Sequence, residues 1–104
     1  MDVIDKITLL VNEEAAYDPS AKTHVITRKE SEHEEKRLDS AMASKDAEKY
    51  IQRRLDKTKH VRKLIAFGHH LENQNYHNEA DQARQKAMKL GAKKEHVYHY
   101  EVQD

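Results

Sequence analysis

The run Leu64–Ile65–Ala66–Phe67–Gly68–His69–His70–Leu71 is the densest apolar block in the chain, and it constrains the fold more than any other stretch. Around it apolar residues recur at helical spacing: Ala47, Tyr50 with Ile51, Leu55, Thr58, Val61, Leu64 with Ile65, Gly68 and Leu71 fall on one stripe. A second stripe follows an Asn-rich break, with Tyr76, Ala80, Ala83, Ala87 and Leu90 stepping by four, three, four and three. Two such faces bury themselves most simply against each other. One helix over about 46–72, a polar connector and a second helix over 78–90 are therefore expected to form a central antiparallel hairpin.

The flanking elements follow from local pattern. Val3, Ile4, Ile7, Leu10 and Val11 predict a helix over 3–17, which Asp18–Pro19 must stop because a residue before proline avoids the α region. The β-branched run 23–27 reads as a strand, and 96–102 alternates so that Tyr98, Tyr100 and Val102 share a side. Between them a mostly polar helix is expected over 31–43, opened by a capping box of Ser31 and Glu34. Gly91 sits where left-handed backbone is needed after the second hairpin helix. Val, Ile, Leu and Phe together are slightly under a fifth of the 104 residues, close to the range of disordered chains, but the net charge is zero. The expectation is one domain over 1–104: a mainly α, thinly cored helical bundle with the hairpin at its centre and a minor two-stranded β element pairing 23–27 with 96–102. So thin a core also leaves room for a homodimer.

Residues 61–94 resemble a single tetratricopeptide-like helix–turn–helix unit. Leu64, Phe67, Gly68 and Leu71 stand at the spacings of that repeat's first helix, and Ala80 and Ala87 at the small-residue positions of its second. Asn75 sits where the repeat prefers Gly, and Asn tolerates left-handed backbone better than most residues; Arg84 replaces an aromatic of the repeat, and Ala92 stands where proline is common. The resemblance implies a helical partner-binding role and names no partner.

Several chemistries find no support in the residues. The chain has no cysteine, which removes disulfides and thiolate metal sites. Of its eight histidines, His69, His70 and His77 flank the connector and His96 and His99 the C-terminal strand, but none makes the His-x-x-x-His pair of a helical zinc site. No metal and no cofactor are expected. No glycine-rich phosphate loop or nucleophile elbow occurs, and the acidic run around Glu32, Glu34 and Glu35 has no apolar pocket to raise a pKa, so no catalytic residue is assigned and the chain is not expected to be an enzyme. The apolar run 7–11 is too short for a signal-peptide core or a membrane span, and a cytoplasmic setting without membrane contact is the expectation.

Charge is balanced overall but not locally. Residues 1–40 carry ten acidic and six basic side chains, whereas 45–63 carry three acidic and eight basic. On a continuous helix Lys49, Arg53, Lys57 and His60 form a row opposite the apolar stripe, with Arg54 and Lys63 beside it. This basic face and the polar connector bearing His69, His70, Asn73 and His77 are the two candidate partner-binding surfaces, with Tyr76, Tyr98 and Tyr100 as aromatic anchors where exposed. The reading is a small non-catalytic regulator, adaptor or inhibitor docking on a protein. The alternative is a nucleic-acid binder whose basic helix 45–63 neutralises phosphates.

Overall fold

Strand β1 (His24–Ile26) leads into α1 (Arg28–Ala43), α2 (Ala47–Lys57), α3 (Val61–Asn73), α4 (His77–Lys89), the short α5 (Lys94–Tyr98) and strand β2 (Tyr100–Val102). The structure, a computed structural model, describes residues 16–103. The helix expected over 3–17 lies outside them except for Ala16 and Tyr17, which are not helical. The molecule is mainly helical, and β1 and β2 pair in parallel as a two-stranded sheet with His24 opposite Tyr100 and Ile26 opposite Val102.

The hairpin stands at the centre. Leu64, Ile65, Ala66 and Phe67 are buried in succession, which requires cover on more than one side of α3; α4 lies against one side and α1 against another. Ala80, Ala83 and Ala87 are fully buried on α4, and with Leu71, Ile51, Leu55 and Leu38 they complete one core. A Cβ built on Gly68 would meet the Ala83 Cβ at 3.5 Å and the Ala80 carbonyl at 3.6 Å, ordinary contact distances, so the alanines set the approach of α4 and a larger side chain at 68 would not fit. Asn75 and Gly91 take φ of 69° and 111°, the left-handed turns expected after α3 and α4.

Three boundaries differ from the expectation. The helix expected over 46–72 is two helices, because Thr58 and His60 are extended, with ψ of 124° and 118°. The apolar stripe runs on through Thr58 and Val61, so periodicity alone could not register a change of axis. What closes α2 is distant in sequence: the Lys86 ammonium on α4 donates to the carbonyls of Leu55 and Asp56, which a helix end leaves free. The first helix opens one turn early, on a capping box of Thr27 and Glu30. Ser31 and Glu34 are thereby released to face α3 and α2. Finally, 94–98 is helical, since His96 and Val97 are both buried and alternation cannot bury neighbours.

Residues 16–23 reach back over α5 through one hydrogen-bond chain. The Lys93 N–H donates to the Tyr17 hydroxyl at 2.9 Å, that hydroxyl donates to His96 Nδ1 at 2.5 Å, and His96 Nε2 donates to the Ala21 carbonyl at 2.7 Å. His24 packs against both rings, 3% exposed, and its Nε2 has no partner among the described residues. Burial first, and the Arg62 cation second, hold its pKa down at about 4 against an ordinary 6.5. Folding therefore favours the neutral ring: the stabilisation is complete above pH 6.5 and is lost as pH falls through 6.5 towards 4, where only the unfolded chain binds the proton. Between pH 7 and pH 5 the wild type is expected to lose about 1–2 kcal/mol more than His24→Phe in urea denaturation. Equal losses in both proteins would show that His24 titrates normally in the fold.

Candidate functional site

On α2 the side chains of Ala47, Ile51 and Leu55 face the core, which leaves Lys49, Arg53 and Lys57 on the outer face at intervals of four. All three are exposed, and among the described residues none of them makes an ion pair. His60 and Lys63 are exposed at the start of α3, continuing the row past the break.

Arg54 does not belong to this surface. Its side chain is only 10% exposed, its guanidinium pairs with the Glu34 carboxylate of α1, Nη1 donates to the Tyr50 hydroxyl at 3.3 Å, and the group lies 5.3 Å from the Phe67 ring centroid. Burial pushes the Glu34 carboxyl above the usual carboxylate range, while Arg54, then Arg37 and Lys63, pull it down. Arg62 is drawn inside in the same way: it forks onto Glu30 at 2.6 and 3.1 Å and donates to the Val25 carbonyl at 2.9 Å. Burial works to raise the Glu30 pKa, but the Arg62 and Thr27 hydrogen bonds outweigh it and hold the carboxyl below its ordinary value.

The connector offers less than its composition suggested. His70 is 8% exposed and meets the Ser31 hydroxyl at 2.9 Å, so it belongs to the α1–α3 contact rather than to a docking surface. His69 is half-buried: Asn73 Nδ2 donates to its Nε2 at 3.3 Å, and its Nδ1 lies 2.8 Å from the Tyr100 hydroxyl. Burial, then His70 and Arg84, lower the His69 pKa, and burial lowers that of His70 despite nearby Glu35 and Asp39. His77 is exposed but sits 2.9 Å from Glu72, which Arg84 also approaches at 3.8 Å. Of the tyrosines, Tyr98 is 38% exposed beneath the Arg84 guanidinium, while Tyr76 and Tyr100 are half-buried against the core.

A feature that linear reading missed lies between α1 and α2. An open groove of about 560 Å³ is lined by Arg37 and Ser40 from α1, by Ser44 and Asp46 from the link, and by Lys49, Tyr50 and Arg53 from α2. The signal was available: 37, 40 and 44 step by three and four beside the buried stripe Glu34–Leu38–Ala41. Two cations of the α2 row thus share a concavity with an arginine from another helix. His33, on the neighbouring turn of α1, has its pKa lowered by partial burial first and then by Arg37, Arg54 and Lys63.

Among the described residues no three His, Asp or Glu side chains converge as a metal site requires, and no helix is long and apolar enough to cross a membrane. No protein-family model, no curated protein and no solved structure matches this chain.

Proposed function

We propose that this chain is a non-catalytic helical interaction protein, an adaptor, regulator or inhibitor, that docks on an acidic surface of a protein partner through the outer face of α2 and the groove beside it. The observation that carries the reading is the row Lys49, Arg53 and Lys57, exposed and without ion pairs among the described residues. Where this chain needs a cation for its own fold it draws Arg54 and Arg62 inward onto acids, so the outer row has no structural task within the described chain. Unpaired cations on one rigid face raise association rates with acidic partners and discriminate against basic ones. The likeness of 61–94 to a tetratricopeptide unit supports a scaffold of this kind.

A protein partner is favoured over nucleic acid by the composition of the face. Asp46, Glu48 and Asp56 interrupt it, all exposed, and its one bordering aromatic, Tyr50, packs edge-on against Phe67, where it is poorly placed to stack a base. The test is affinity capture with the wild type beside Lys49→Glu/Arg53→Glu/Lys57→Glu. The expected result is a protein recovered by the wild type at 0.1 M salt, resistant to nuclease and lost in the triple variant. Nuclease-sensitive recovery, or an oligonucleotide mobility shift with a steep salt slope, would move the reading to nucleic acid.

A further inference from the structure

We propose that the α1–α2 groove seats a dianionic phosphate monoester, presented by a phosphorylated side chain of the protein partner. The inference rests on the partner-protein reading above and names the chemistry of its anchor. Three cations, Arg37, Lys49 and Arg53, face one carboxylate, Asp46, so the groove carries two positive charges in excess. A carboxylate or a phosphodiester brings one negative charge and leaves half of that excess unmatched. A phosphate monoester at neutral pH brings about −1.5 to −2, which matches it.

The donors agree with the charge count. Guanidinium groups arrive from two different helices, and each can present two N–H groups to two oxygens of one anion. A third oxygen needs further donors. Ser40 supplies a hydroxyl, and the Tyr50 hydroxyl accepts from Arg54 Nη1, which leaves its own hydrogen free to donate. Ser44 is different: its hydroxyl already donates to the Ala41 carbonyl at 3.1 Å and remains only as an acceptor. At about 560 Å³ and open to solvent, the groove is larger than a phosphate group and admits the flanking residues of a peptide. Lys57 lies outside the groove, exposed further along the same face.

The test is calorimetry and amide-resolved NMR on the full chain with four probes: a neutral heptapeptide with central phosphoserine, the same peptide with glutamate there, glycerol phosphate, and a single-stranded oligonucleotide. The phosphopeptide is expected to bind at least tenfold more tightly than the glutamate peptide and glycerol phosphate, with shifts confined to residues 37–53. Arg37→Gln and Arg53→Gln, both at exposed positions, should abolish the tenfold preference without moving the thermal midpoint, and Lys89→Gln, an exposed lysine that does not line the groove, should leave it unchanged. Equal affinity for the phosphoserine and glutamate peptides would overturn the phosphate assignment. If the triple charge reversal still abolished partner capture, docking on an acidic protein would survive that failure. Glycerol phosphate binding as tightly as the peptide, or the oligonucleotide binding more tightly through the same residues, would overturn the assignment to a phosphorylated protein.

Discussion

Glu34→Leu alone is expected to lower the unfolding free energy by about 3–5 kcal/mol, and adding Arg54→Met is expected to restore most of it. The single change leaves a guanidinium that is 10% exposed with only the Tyr50 hydroxyl and the Phe67 face as partners. A charge left that dry is far more costly than a lost contact. The double change removes both charges from a place where the pair is already imperfect: Glu34 Oε2 and Arg54 Nε are buried and have no hydrogen-bond partner among the described residues. A double-mutant cycle in urea measures the coupling directly. A Glu34→Leu loss below about 1 kcal/mol would show that Arg54 swings out to water on losing its partner. In that event Arg54 would join the outer row, and Glu34 would be the residue that keeps it inside.

Where the reading of the sequence succeeded, local pattern and tertiary structure carried the same information. The spacing of Leu64, Phe67 and Leu71 against Ala80, Ala83 and Ala87 required a hairpin, and left-handed Gly91 follows from backbone chemistry alone. Where it failed, two local signals competed and a distant residue decided. Thr27–Glu30 and Ser31–Glu34 both spell a capping box; the first is used because Ser31 and Glu34 find His70 and Arg54 across the bundle. The break at 58–60 depends on Lys86, about thirty residues away, taking the carbonyls that end α2. The same blindness affected the site. Lys49, Arg53 and Lys57 could be placed on a solvated face from helical phase alone. That Arg54 turns inward, that His70 is buried and that Arg37 and Ser40 meet the α2 row all depend on α1 packing beside α2 and α3, which no spacing within one segment encodes.

Phe67→Ala is expected to cost about 3–5 kcal/mol, and Phe67→Leu about 1 kcal/mol. Phe67 is the one phenylalanine and among the largest fully buried side chains, in a core whose α4 contribution is three alanines. Small side chains cannot move inward to fill the void. A domain of this size has roughly 5–15 kcal/mol in total, so the alanine variant should melt tens of degrees below the wild type or be partly unfolded at 37 °C, as circular dichroism would show. Its second consequence separates packing from function. The Phe67 ring supports the Tyr50 ring edge-on at a centroid distance of 6.0 Å and lies under the Arg54 guanidinium, and Tyr50 lines the α1–α2 groove. At a temperature where both variants are folded, Phe67→Ala should therefore weaken phosphopeptide binding several-fold more than Phe67→Leu, which keeps a bulky support beneath Tyr50. Equal affinities in the two folded variants would show that Tyr50 is held by α2 alone, and that the groove is shaped independently of the core beneath it.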